Sequence, residues 1–210
     1  MPGFRKGQKP GNAGKRYIPE PLTPDEVQLL IAGCSRTSAT GLRNRALIVV
    51  LWRSGLRISE TLALLPGDID HDAHTVLVRV GKGGKTRRVG IDSKALEHVR
   101  RWEQARAKLG VTAHDSLFCT INSTVRGGPI RSPYVRMLLK RLATEAGITK
   151  RVHPHGLRHS LACDLSREKV PLALIQRQLG HSNPGTTGIY LQGISNTEVV
   201  EAMSVREWGL

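Results

Sequence analysis

One stretch of this chain alternates with the period of a β-strand while the rest carries helical signals, and that contrast limits the fold more than any other feature. Residues 75–80 read Thr-Val-Leu-Val-Arg-Val, Gly81 to Gly84 form a turn, and Thr86 to Ile91 return, which predicts a β-hairpin. The flanks read as helices. Thr23-Pro24-Asp25-Glu26 supplies a capping hydroxyl, a proline for the first helical position and acids for the first turn. Val27, Leu29, Leu30 and Ile31 then provide an apolar face. A second helix is expected at about 41–54, with Leu47 to Leu51 buried and Gly55 breaking it, and a third at about 58–65 before the turn Pro66-Gly67-Asp68. Beyond the hairpin, helices are expected at about 93–109, 132–147, 155–167, 171–179, 184–190 and 197–204, with Phe118 in a minor strand. The fold class is therefore mainly α with a small antiparallel β-sheet (α+β), without internal repeats.

A length of 210 residues suffices for one domain with a full core. The longest apolar run, Ala46 to Trp52, falls short of the roughly 18 residues of a membrane span. No signal-peptide pattern follows the basic start. The 3 cysteines, Cys34, Cys119 and Cys163, are odd in number and widely spaced, which fits a reducing compartment and neither a disulfide framework nor a zinc site. Lys+Arg number 32 against 17 Asp+Glu, a net charge of +15 that points to a polyanionic partner. Charge alone does not choose between DNA, RNA and an acidic membrane. Aromatic content of 4% weighs against single-strand binding, which relies on base stacking. Residues 1–19 carry Arg5, Lys6, Lys9, Lys15 and Arg16 with no acidic counterweight; they read as a mobile tail able to lie on phosphates, or as a solubilising leader.

The chemistry lies in Arg57, Lys82, His155, Arg158, His181 and Tyr190, which span more than half of the chain. Two forked cations, an ammonium, two imidazoles and a late tyrosine are the groups a metal-free enzyme needs to cut a DNA phosphodiester. The five-coordinate transition state concentrates charge on the non-bridging oxygens, so cutting requires fixed cations, a nucleophile and an acid for the leaving oxygen. Arginine suits the first task because its planar fork grips two oxygens and stays charged. Arg57 follows a helix-ending glycine at the mouth of the next helix, where a helix start would add backbone donors. His155 and Arg158, at i and i+3 behind Pro154, share one helix face. His159 points elsewhere and reads as a packing or hydrogen-bonding histidine. His181 sits between the helix end Leu179-Gly180 and the helix start Ser182-Asn183-Pro184. Lys82 occupies the glycine-rich turn, which can approach a DNA backbone closely, and Lys85 is its alternative.

Two other readings fail on their spacing. Gly84-Lys85-Thr86 looks like the end of a nucleotide-binding P-loop, but that motif needs glycine at position 79, which is Arg79, and a helix rather than a strand afterwards. Asp68, Asp70 and Asp72 suggest a calcium loop, but it would require glycine at 73 and glutamate at 79, where Ala73 and Arg79 stand. No carboxylate cluster points to a two-metal nuclease.

The blocks Ser54-Gly55-Leu56-Arg57-Ile58-Ser59-Glu60, Gly81-Lys82-Gly83-Gly84-Lys85, His155-Gly156-Leu157-Arg158-His159, Leu179-Gly180-His181 and Thr186-Thr187-Gly188-Ile189-Tyr190 together resemble the tyrosine recombinase (phage integrase) family. The resemblance runs from about Thr23 to Tyr190 and is to that family's catalytic domain, Xer-like in character. It implies that Arg57 and Arg158 clamp the scissile phosphate and that His155 accepts or relays the tyrosine proton. His181 would donate to a non-bridging oxygen, and Lys82 would protonate the leaving 5′ oxygen. Tyr190 would be the nucleophile, while Tyr17 and Tyr134 match no block. The product would be a 3′-phosphotyrosine, whose ester energy permits rejoining without ATP. No metal or cofactor is implied.

Family members typically carry a further N-terminal helical domain that clamps the opposite face of DNA. Here only the basic tail precedes the match, so the chain is expected to be a fragment or a short member like the fimbrial phase-switch inverting recombinases. The implied layout is a tail at 1–19, a catalytic domain at 20–192, and a C-terminal tail or helix at 193–210, exchanged between subunits or packed in cis. The implied partners are double-stranded DNA, further copies forming a tetramer on paired sites, and accessory DNA-bending proteins, with no membrane. The expected location is the cytoplasm, at the nucleoid when DNA-bound. Type IB topoisomerase-like relaxation and a non-catalytic DNA binder on the same fold are the rival functions.

Overall fold

The computed structural model describes residues 20–79, 86–122 and 126–180, together with Val200, Met203 and Ser204. The expected helices at 184–190 and 197–204 fall almost wholly outside the described residues, as do Lys82, His181 and Tyr190.

Helix α1 (Pro24–Ala32) begins where the sequence places it: Glu26 N–H donates to Thr23 Oγ1 at 3.2 Å and Thr23 N–H donates to Glu26 Oε2 at 2.7 Å. This reciprocal cap satisfies two donors that a helix start leaves open. Lys150 reaches the same Glu26 oxygen at 2.8 Å and ties α1 to a segment 124 residues further along the chain. Helix α2 (Ala39–Arg53) is the central element, buried without a break from Ala46 to Trp52. A helix that is apolar around its whole circumference must be enclosed by others. Here α2 packs against α1, α4 (Ser93–Lys108) and α6 (Pro154–Arg167). On α4 the buried set Ala95, Leu96, Val99, Trp102 and Arg106 follows helical spacing, and Trp102 donates its indole N–H to the Leu117 carbonyl at 2.8 Å.

The sheet is three antiparallel strands in the order β1 (Ile69–Asp70), β2 (Thr75–Val78), β3 (Arg87–Gly90). Val76 pairs with both Ile69 and Val89, so one face presents apolar side chains inward; Arg87, opposite Val78, shares that face, and Arg88, opposite Leu77, is on the other. The hairpin was predicted; β1 was not, because two residues carry no readable alternation. The minor strand expected at Phe118 is a single bridge between Cys119 and Pro129 beside it. Helix α5 (Ser132–Glu145) and the short α3 (Ile58–Leu62) and α7 (Leu172–Leu179) complete the described body. α3 ends earlier than expected, at Leu62, since Leu64 turns into the core and Pro66 follows. Asp68, considered above for calcium, instead pairs with Arg79 at 2.6 Å and accepts the Leu65 N–H at 2.9 Å. Cys34, Cys119 and Cys163 are all free thiols.

Candidate active site

The site is built where α2 ends, α6 begins and α7 ends. Gly55, just beyond α2, has φ +64, the left-handed region that glycine enters without cost. A Cβ at Gly55 would come within 2.8 Å of both Leu161 of α6 and Leu179 of α7, so the elbow fits between those helices only without a side chain. Arg158 enters from α6, 2% exposed, and donates to the Gly55 carbonyl from one terminal nitrogen and to the Leu179 carbonyl from the other. It thereby braces the elbow before Arg57 against the chain end before His181. Gly180, with φ +63 and ψ 47, terminates α7 in the left-handed conformation common at helix C-termini.

Arg57 stands at the cap position of α3 and points across this junction. Its Nη1 donates to Glu60 Oε1 at 2.8 Å and its Nη2 reaches the Gly180 carbonyl at 3.5 Å. The side chain is 32% exposed, so of the two arginines it presents the more open guanidinium. The Arg57 backbone N–H, expected to be available at a helix start, is taken by Glu60 Oε2 at 2.9 Å. Burial pushes the Glu60 carboxyl up, but hydrogen bonds from Arg87 and from Arg57 outweigh it and hold the group below the usual carboxylate range.

His155 lies on the first turn of α6, close enough to both arginines that their charges add to burial in lowering its pKa, Arg158 before Arg57. Arg57, His155 and Arg158 thus form one cluster; the i, i+3 spacing of His155 and Arg158 gave their shared helix face, and the family resemblance alone brought Arg57 to them. His159 is buried among the α6 residues, in keeping with a packing role. Lys82, His181 and Tyr190 lie outside the described residues; His181 directly follows the Leu179-Gly180 segment held by the two arginines.

Supporting residues were missed in the sequence. His153 caps α6: its Nδ1 accepts the Gly156 N–H at 3.0 Å, and its ring stacks near that of His155, centroids 6.4 Å apart and 10° from parallel. Its position immediately before a proline at the helix start was a readable signal. Glu60 could have been paired with Arg57 by its i+3 spacing. Arg87 and Gln178 had no local signal. Gln178 exchanges two hydrogen bonds with the Gly90 backbone, at 2.9 and 2.8 Å, and donates to the Ser54 carbonyl at 3.1 Å. Its amide therefore pairs with the outer strand much as another strand would.

The matched sequence encloses this whole cluster: residues 20–196 fit the pattern of the phage integrase family. The chain belongs to the phage integrase family. Within that family it is 38% identical over 180 residues to a tyrosine recombinase XerC from Alcanivorax borkumensis, a match covering 85% of this chain and 57% of that protein. Among solved structures, the XerA recombinase superposes with a TM-score of 0.74 at 27% identity, covering 91% of this chain and 68% of that one. The XerH site-specific recombinase in its pre-cleavage complex with difH substrate gives a TM-score of 0.74 at 28% identity, covering 91% of this chain and 56% of that one. This integrase-family chain therefore spans little more than half the length of the XerC relative it matches. Both structural likenesses carry the mainly helical fold with its small antiparallel sheet. Among the described residues no helix is long and apolar enough to cross a membrane.

Proposed function

We propose that this chain is the catalytic part of a site-specific tyrosine recombinase that cuts and rejoins double-stranded DNA. The observation that carries the reading is the cluster of Arg57, His155 and Arg158 at the point where the chain leaves α7 toward His181 and Tyr190. Family membership supports it, as do the likeness to XerC, a tyrosine recombinase, and to XerH, whose structure holds its difH substrate.

Under this proposal the scissile phosphate sits against Arg57 and Arg158, with His181 donating to a non-bridging oxygen. Tyr190 Oη attacks phosphorus and the bond to the 5′ oxygen breaks. The tyrosine proton passes toward His155, whose neutral, accepting form is favoured by burial first and then by the charges of Arg158 and Arg57. Lys82 supplies the proton that the leaving 5′ oxygen requires. The reverse sequence reseals the strand, and exchange of partners before resealing is recombination. Residues 20–192 are the catalytic domain in this scheme, residues 1–19 a basic arm along the backbone, and residues 193–210 a tail that couples subunits of a tetramer on paired sites. Accessory DNA-bending proteins would assist synapsis.

A suicide substrate with a nick beside the scissile phosphate tests the proposal. A covalent protein–DNA adduct is expected with the unsubstituted chain and its complete loss with Tyr190→Phe. DNA binding without any adduct would favour a non-catalytic binder. Adduct formation with relaxation of supercoils and no exchange between paired sites would favour a topoisomerase-like activity.

A further inference from the structure

Arg87 lies on β3, the outer strand of the sheet, on the chain that returns from the Lys82 segment. Its guanidinium grips Glu60 with two hydrogen bonds, Nη1 to Oε1 at 3.0 Å and Nη2 to Oε2 at 2.8 Å. The same Oε1 accepts from Arg57 Nη1 at 2.8 Å, and the same Oε2 accepts the Arg57 backbone N–H at 2.9 Å. Glu60 is 6% exposed, so its carboxylate is enclosed by two arginines. A planar fork on both oxygens fixes the plane of a carboxylate in a way a single contact does not. Arg87 therefore sets the orientation of Glu60, and Glu60 sets where Arg57 points.

A second observation separates Arg87 from an ordinary ion-pair partner. Its Nε is buried and lacks a hydrogen-bond partner among the described residues. Gly180 lies against it so closely that a Cβ there would come within 2.6 Å of that nitrogen. A buried orphan donor is a cost to stability, and native proteins rarely retain one without a reason. The position of the guanidinium, between Glu60 and the chain end that leads to His181, supplies a reason.

We infer that Arg87 is a positioning residue: through its fork on Glu60 it aims Arg57 at the scissile phosphate and ties that aim to the strand returning from the Lys82 segment. The inference rests on the recombinase reading of Arg57. Arg87 acts through Arg57 and not on the DNA, and that difference can be measured.

Single-turnover cleavage by the full chain is compared on an ordinary suicide substrate and on one with a methylphosphonate at the scissile position. The methylphosphonate lacks the negative charge that Arg57 neutralises. Arg87→Gln is expected to slow cleavage of the phosphate roughly tenfold to a hundredfold, the scale of a misplaced catalytic contact. On the methylphosphonate it should come within about twofold of the unsubstituted chain, since the contact it supports no longer matters. Arg87→Lys, which keeps the charge and loses the fork, should fall between. An equal defect on both substrates would overturn the inference, as would no defect on the phosphate or failure of both variants to fold. If instead Arg57→Ala cleaves the phosphate as fast as the unsubstituted chain, the recombinase reading of Arg57 fails before the role of Arg87 arises.

Discussion

Burial and two neighbouring guanidinium groups all disfavour the His155 cation, hold its pKa below the usual histidine value and favour the neutral ring. This is the state a proton acceptor needs. In the proposed mechanism a phosphate bound between Arg57 and Arg158 would offset their charge, so the ring's proton affinity would rise on DNA binding, when the tyrosine proton leaves. Under that proposal the active form is the deprotonated one. Cleavage measured at subsaturating protein should therefore be lost as pH falls through a value below the ordinary histidine pKa of about 6.5. His155→Gln should be slow and lack that acid limb; an unchanged limb in the variant would assign it to another group. At this scale the sequence was informative about chemical types. Arginine, histidine, lysine and tyrosine in motif order are what pointed to the proposed phosphoryl transfer. Glu60 was visible in the same motif, yet nothing local indicated that it would be held by Arg87, a residue from another element.

Among the elements, α6 matters most, because it carries both His155 and Arg158 and its first turn is capped by a side chain that titrates. The Gly156 N–H bond requires His153 Nδ1 to be an acceptor, so protonation there breaks the cap. Burial first, then the charge of Arg151 and the neighbouring His155, lowers the folded-state pKa of His153. A folded pKa below the unfolded one means the cap's stabilisation is present above the unfolded pKa. It is lost as pH falls through the folded value. His153→Ala is expected to cost about 1 kcal/mol, the usual worth of an N-cap. In a domain of this size that lowers Tm by about 2–4 °C. His153→Asn should hold the Tm near that of the unsubstituted chain and flatten its decline in mild acid. Calorimetry across that pH range distinguishes the outcomes; equal Tm loss in both variants would show that the ring's packing matters and the hydrogen bond does not. Element identities were largely readable here: α1 from its capping residues, α2 from its unbroken apolar run, the hairpin from its alternation. β1 was not, since two residues pair only because β2 is already in place beside them.

For the molecule as a whole, the fold class followed from period and punctuation, but the convergence of the site did not. Arg158 joins the Gly55 elbow to the end of α7, Gln178 joins α7 to β3 and to Ser54, and Ser160 accepts the Leu22 N–H at 2.9 Å. Such bonds link residues far apart in sequence, and no local pattern encodes them; only the motif resemblance anticipated that Arg57, His155 and Arg158 would meet. A net charge of +15 fits the proposed polyanionic partner. The central claim is that this cluster activates one phenol. Peptide mass mapping of the trapped protein–DNA adduct tests that claim most directly. The account predicts a single nucleotide-bearing peptide modified at Tyr190; modification at Tyr134, Tyr17 or any serine would contradict it.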